Sequence, residues 1–285
     1  MISNAQFEKE LELIISNALR EDVGDGDHTS LSCISSIAQG KAKLLVKEEG
    51  IIAGVLFAKQ VFSFVDNSLE IEIFINDGEQ VKYGDVVFHI SGNSQSILMA
   101  ERLVLNAMQR MSAIATKTAF FVDLLKGTKT KILDTRKTTP GIRAIEKWAV
   151  KIGGGVNHRF ALYDMVMIKD NHIDFAGGIT EAINKAKLYL LEKKLDINII
   201  VEARNLEEIR EIISNKGIHR IIIDNFNYKD TKEAVKLIGE TCLTESSGGI
   251  NQKTIRNYAE CGVDFISSGA LTHSVSNLDL SLKAI

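Results

Sequence analysis

The rhythm of hydrophobic positions changes near the middle of the chain. Up to about residue 110 several periods are mixed. Phe7 to Leu19 places Leu11, Ile14, Ile15, Ala18 and Leu19 on one helical stripe. GKAKLLVKEEG alternates as a half-exposed strand does, and IIAGVLFAKQVFSFVD predicts a helix. LEIEIFINDGEQVKYGDVVFHISG predicts strands broken by turns at Asp77-Gly78 and Gly84-Asp85. A long helix is predicted from Ser96 to about Lys126, a span without glycine or proline.

Beyond it a unit repeats: a short apolar run, a polar end, then a helical segment. The runs are KILDTRK, MVMIKDNH, NIIVEAR, RIIIDNF, TCLTESSGG and DFISSGA, turning polar at Asp134, Lys169, Glu202, Asp224, Glu245 and Ser267. The last four positions are 22, 21 and 22 residues apart, the length of a tight strand-plus-helix unit. Strands buried on both faces read as apolar runs, and strands alternating with helices imply a parallel sheet. The expected fold class is α/β: a small, irregular β/α barrel behind an N-terminal mixed α/β sandwich domain. A doubly wound open sheet is the alternative. The predicted domains are 1–112 and 113–272, with the tail 273–285 packing back on the first.

The composition narrows the function. With 285 residues, 45% apolar and 25% charged, the chain has the profile of a soluble globular protein. Its net charge of −3 supplies no field for nucleic acid or an anionic membrane, so an anion site must be local. No run approaches the roughly 18 apolar residues of a membrane span. The acidic amphipathic start lacks the pattern of a signal peptide. Three widely spaced cysteines, Cys33, Cys242 and Cys261, read as reduced, mostly buried thiols of a cytoplasmic protein.

In parallel α/β folds the reacting groups stand at the carboxyl ends of strands. That rule collects Arg136, Lys137, Lys169, Glu202, Asp224, Ser246 to Gly249, and Ser267 to Gly269. ESSGGI and SSGA follow the last two strands, where barrels bind phosphate through backbone N–H groups and a helix N-terminus. Glu202 and Asp224 could cap the helices that follow them, or serve Mg²⁺ or a developing positive charge. His172 is read as satisfying a local backbone group.

DTRKTTPGIRAIEKWAVKIGGGVNHR holds the only proline, Pro140, and three consecutive glycines. Pro140 is expected in the first turn of a helix. The glycines are expected where backbone approaches something closely or turns. Arg136, Lys137, His158 and Arg159 then form two halves of an anion-binding wall, with Arg143 and Lys147 as helix-surface charges. Arginine forks suit a ligand with planar acids and phosphates.

DTRKTTPGIR, EKWAV, GGGVNHR, MIKDNHI, VEA, IIIDN, ESSGGI and GVDFISSGALTHS together resemble the quinolinate phosphoribosyltransferases, also called carboxylating nicotinate-nucleotide pyrophosphorylases. ALREDVGDGDHTS and AERLVLNAMQRMSAIAT extend the resemblance from about residue 18 to the C-terminus. It implies a homodimer with sites shared between subunits, hexamers being the open alternative. It also implies transfer of phosphoribosyl from phosphoribosyl pyrophosphate to quinolinate, releasing CO₂ and pyrophosphate and giving nicotinate mononucleotide for NAD synthesis.

The resemblance assigns Arg136, His158 and Arg159 to the dicarboxylate, with Arg102 reaching in from the neighbouring subunit. Lys137 and Lys169 lie between quinolinate and diphosphate as catalytic groups. Ser247, Gly248, Gly249, Ser268 and Gly269 take the 5-phosphate. Glu202 and Asp224 stand near the ribose and Mg²⁺, touching the metal directly or through the diphosphate. No pyridoxal phosphate or flavin is expected. A related phosphoribosyltransferase-like protein of molybdenum transport shares part of these motifs, and a phosphate-ligand binding module without turnover is the non-enzymatic alternative. GEQVKYGDVVFHISG, taken as a lipoyl-carrier-like segment, lacks a lysine on a tight turn beside methionine.

Overall fold

The structure, a computed structural model, describes residues 3–285. In chain order the elements of the first part are α1 (Asn4–Val23), α2 (His28–Cys33), β1 (Gln39–Val46), β2 (Gly50–Ile51), α3 (Val55–Val65), β3 (Glu70–Ile73), β4 (Gln80–Val81), β5 (Val86–Asn93) and α4 (Ser94–Leu124). There follow β6 (Lys131–Leu133), α5 (Arg143–Ile152), β7 (Val166–Ile168), α6 (Asp170–Ala176), α7 (Ile179–Lys193), β8 (Ile199–Ala203), α8 (Leu206–Ser214), β9 (Arg220–Asp224) and α9 (Tyr228–Ile238). Last come β10 (Leu243–Ser247), α10 (Ile255–Glu260), β11 (Phe265–Ser267), α11 (Ala270–His273) and β12 (Leu280–Ala284).

Two compact units result. One comprises residues 3–119, Thr138–Gly154 and Leu271–Ile285; the other comprises Phe120–Lys137 and Gly155–Ala270. The first unit is built on a four-stranded sheet, β12-β1-β5-β3, in which β1 pairs antiparallel with both β12 and β5. The C-terminal strand therefore belongs to this unit. Leu11, Ile14 and Ile15 are the buried stripe of α1, and Ala18 and Leu19 are only half-buried at its edge. Phe62 of α3 meets Phe88 of β5 edge to face at 5.9 Å, and Phe7 of α1 meets Trp148 of α5 at 5.5 Å. Asn93 caps α4, its side chain accepting the N–H groups of Gln95 and Ser96.

The second unit is a parallel six-stranded sheet of order β6-β11-β10-β9-β8-β7. All six apolar runs of the sequence are its strands. β7 to β11 pair in succession, and β11 returns to pair with β6, the first strand. That cyclic order is a barrel with one seam, between β6 and β7. On the β6 side of the seam Val156 bridges Leu133, so irregular backbone stands where a strand pair would close the barrel. β8, IIVEA, is buried at every position, as a strand covered on both faces should be.

Three local expectations need correction. Pro140 precedes α5 rather than opening it: Ile142 N–H bonds back to Thr139 O, and Gly141 has φ +85°. Proline second and a positive-φ glycine third make a turn of type II composition. Lys147 is no surface charge; it is 2% exposed, because α5 buries Ala144 through Lys147 as well as Ala149 and Val150. Of the thiols, Cys33 is exposed and Cys242 and Cys261 are half-buried, none fully enclosed.

The glycine run has two separate uses. A Cβ on Gly153 would lie 2.4 Å from the carbonyl oxygen of Ala115, so α5 ends against α4 only because position 153 has no side chain. Gly154, at φ +85°, then turns the chain out of the helix.

Candidate active site

Asp134, fully buried at the end of β6, organises the mouth of the second unit. Its carboxylate accepts the Asn157 side-chain amide at 2.6 Å and the backbone N–H of His158 at 2.8 Å. His158 Nδ1 in turn accepts the backbone N–H of Arg159 at 2.6 Å, while Nε2 lies 3.3 Å from Glu245. The ring thus accepts a backbone amide on Nδ1 and points Nε2 at a buried carboxylate within ion-pair distance. The wall expected from Arg136, His158 and Arg159 has two guanidiniums and an imidazole that holds backbone.

Arg159 is 8% exposed, donates Nη1 to Met165 O at 3.1 Å, and leaves Nε buried without a hydrogen-bond partner. Burial lowers its pKa, the nearby charge of Arg136 lowers it further, and Asp164 opposes them. Asp164 spends its oxygens on the backbone N–H groups of Phe160 and Ala161. Two like charges near one another, one with an unsatisfied buried donor, are a combination that an anion would relieve. Lys137 is exposed immediately after Arg136.

On the next strands Lys169 follows β7 and Glu202 lies in β8, with Nζ 2.7 Å from the carboxylate. Asp224 ends β9 and accepts from the Asn225 side chain at 2.6 Å. The capping alternative for both acids fails: Asn205 caps α8 and Asn227 caps α9. His172 Nδ1 accepts the backbone N–H of Lys169 at 3.0 Å, a local contact that fixes the strand end. Among the described residues no group of three or more His, Cys, Asp or Glu could hold a metal ion. One or two strand-end carboxylates fit a Mg²⁺ that keeps most of its ligands from water and substrate phosphates. Burial pushes the Cys242 thiol up to about 11 and raises that of Cys261, so neither offers a thiolate nucleophile.

The small-residue loops stand after β10 and β11. Gly248 has φ +95°, and a Cβ there would lie 2.1 Å from Asn225 Oδ1; Gly249 has φ +61°. Asn225 N–H bonds Ser247 O, tying the loops after β9 and β10 together. Ser268 N–H bonds Leu133 O, closing the loop after β11 onto β6. No helix starts directly after Gly249: the chain first turns through Asn251 to Thr254, so an anion at this loop would meet its backbone N–H groups and no helix N-terminus.

Arg102 lies in the other unit, exposed on α4. In that unit Glu146 is a saturated buried carboxylate, taking Arg110 Nη2 at 2.9 Å and both the N–H and hydroxyl of Thr139. It fixes the start of the segment that follows Arg136 and Lys137. Reading strand ends passed over Glu146 as a buried carboxylate and left Glu245 outside the collected strand-end groups. An acid in an apolar run was the available signal for Glu245, and none marked Glu146.

The family models for the C-terminal and N-terminal domains of quinolinate phosphoribosyl transferase match residues 114–283 and 27–112. A mitochondrial quinolinate phosphoribosyltransferase [decarboxylating] of Nicotiana tabacum is 45% identical over 96% of this chain and 82% of its own length. A probable nicotinate-nucleotide pyrophosphorylase [carboxylating] of Bacillus subtilis is 41% identical over 96% of this chain and 93% of its own. The solved nicotinate-nucleotide pyrophosphorylase of Francisella tularensis superposes with a TM-score of 0.89 at 37% identity, covering 100% of this chain and 98% of that one. Strand-end cations, paired acids and glycine loops therefore sit in a chain that belongs to the quinolinate phosphoribosyltransferase family.

Proposed function

We propose that this protein transfers the phosphoribosyl group of phosphoribosyl pyrophosphate to quinolinate with loss of CO₂, forming nicotinate mononucleotide and pyrophosphate for NAD synthesis. The observation that carries the reading is the pair of guanidiniums, Arg136 and Arg159, with Arg159 Nε buried and unpartnered. A planar pyridine with two adjacent carboxylates supplies what such a pair lacks. His158 completes the dicarboxylate end by holding the Arg159 amide.

Lys137 and Lys169 neutralise the diphosphate as it leaves, and Glu202 and Asp224 stabilise the oxocarbenium-like charge that departure leaves on the ribose. The pyridine nitrogen attacks the anomeric carbon and becomes a pyridinium. Its positive charge then stabilises the electron pair left on the ring carbon, as an ylide, when the adjacent 2-carboxylate departs as CO₂, and a proton is taken up by that pair. No covalent enzyme intermediate is needed; the chain orients and neutralises. Ser247, Gly248, Gly249, Ser268 and Gly269 hold the 5-phosphate. Glu202 and Asp224 would hold a Mg²⁺ that arrives with phosphoribosyl pyrophosphate, and such an ion would add charge neutralisation for the diphosphate.

The working unit in this reading is a homodimer, with Arg102 of each chain serving its partner's site, and its place is the cytoplasm. Three free cysteines suit a reducing compartment. No described helix is long and apolar enough to cross a membrane. The test is incubation with quinolinate, phosphoribosyl pyrophosphate and Mg²⁺, each omitted in turn. Nicotinate mononucleotide should form only in the mixture with both substrates and the metal. Formation without added metal after chelation would remove Mg²⁺, and none in the full mixture would remove the reading.

A further inference from the structure

The barrel interior contains an ionised cluster to which no substrate role has been given. Glu245, in the middle of β10, is 1% exposed. Its Oε2 lies 2.7 Å from Arg220 Nη1, which enters from the start of β9, and 3.3 Å from His158 Nε2. The Arg220 guanidinium stacks on Phe265 of β11, 4.5 Å from the ring centroid. Burial by itself would raise the pKa of Glu245; the His158 imidazole, the Arg220 charge and the Ser267 hydroxyl outweigh it and hold the acid down to about 2.

A buried ion pair is a poor stabiliser, since desolvating both charges offsets most of their attraction and apolar side chains fill the same space as well or better. Its chemistry shows on the far side of the imidazole. Because Nδ1 accepts the Arg159 N–H, the ring proton is on Nε2, the atom that faces Glu245. Asp134 holds the backbone of the same segment through His158 N–H and the Asn157 side chain. The segment is thus fastened from two directions, by Asp134 on the backbone and by Glu245 on the ring.

We propose that Glu245, backed by Arg220, is a positioning residue for the dicarboxylate end of the site: it selects the His158 tautomer whose Nδ1 takes the Arg159 amide, and so fixes where the Arg159 guanidinium meets the substrate. This rests on the reading of the site as a quinolinate pocket. Removing the carboxylate takes away the negative charge that favours a proton on Nε2 over one on Nδ1. A proton on Nδ1 would set two donors against each other and displace Arg159.

The test is steady-state kinetics on the full-length protein, with each substrate varied separately. It uses Glu245→Gln and the double variant Glu245→Gln/Arg220→Gln, which leaves neither member of the ion pair buried alone. The KM for quinolinate should rise about tenfold or more, the effect of one charge-assisted hydrogen bond, with the KM for phosphoribosyl pyrophosphate near its wild-type value. Imidazole ¹⁵N spectra of the wild type, assigned by the signal lost in His158→Gln, should show the proton on Nε2 and a bare Nδ1. An Nδ1-protonated ring overturns the proposal. So does a folded variant in which both KM values stay unchanged or rise together. If neither variant folds, the wild-type spectrum decides. Wild-type protein that makes no nicotinate mononucleotide sinks the functional reading, whereas turnover with an unmoved quinolinate KM sinks the positioning role alone.

Discussion

Lys169 and Glu202 face one another across the ends of neighbouring strands, ammonium to carboxylate at 2.7 Å. The Lys169 side chain is 44% exposed, so the pair is screened by water and contributes little to stability, about 0–1 kcal/mol. In the proposed reaction each charge would face the opposite charge that develops when diphosphate leaves the ribose. Glu202→Gln should lower kcat by about two to three orders of magnitude and leave the melting temperature near that of the wild type. Rapid-quench turnover and calorimetry on the same preparation check both halves.

Lys137 is exposed and follows the strand-end arginine. Lys137→Ala should abolish most turnover without unfolding, because an exposed side chain of this kind changes stability by only about 0.5 kcal/mol. Near-wild-type activity in a folded variant would remove its role at the leaving group.

Arg102 and Arg159 are predicted to serve one site from two chains. Arg102→Ala and Arg159→Ala should each be inactive alone. Equal mixing with subunit exchange should restore about a quarter of wild-type activity, since half the dimers are hybrids with one intact site of two. Exchange demonstrated by mass spectrometry without recovery would disprove the shared site.

Gly248 adopts φ +95° beside Asn225 Oδ1. Gly248→Ala must bend this loop or push Asn225 aside, at a cost of about 1–3 kcal/mol. The KM for phosphoribosyl pyrophosphate should rise more than that for quinolinate, because the distortion falls at the phosphate end. Initial-rate kinetics separate the two.

Glu245, with its pKa held down from 4.5 to about 2, ties stability to acid. Its folded pKa is below its unfolded one, so its contribution is complete above about pH 4.5 and is lost as pH falls toward 2. Within that window the double variant Glu245→Gln/Arg220→Gln should lose stability less steeply than the wild type. The difference is at most about 1.4 kcal/mol per pH unit for one group. Urea titrations at stepped pH measure it.

The six barrel strands were legible because each is an apolar run cut off by a polar residue, a pattern set by burial on both faces. The strand-end residues Lys169, Glu202 and Asp224 were legible for the same reason. Glu245 was visible as an acid, yet an acid in an apolar run looks the same whether it faces solvent or a buried arginine. Glu146 was illegible as a buried group because its partner Arg110 comes from α4, distant in sequence, and nothing local marked Lys147 as buried. Pro140 misled because proline suits a turn as well as a first helical turn, and Gly141 decided between them.

The central claim is that one site joins ribose to quinolinate and removes one carboxyl group. The direct measurement follows quinolinate labelled in its 2-carboxylate, with phosphoribosyl pyrophosphate and Mg²⁺, counting labelled CO₂, pyrophosphate and nicotinate mononucleotide together. One of each per turnover is predicted. Pyrophosphate released with the label retained in a nucleotide product, or no consumption of quinolinate at all, would contradict it.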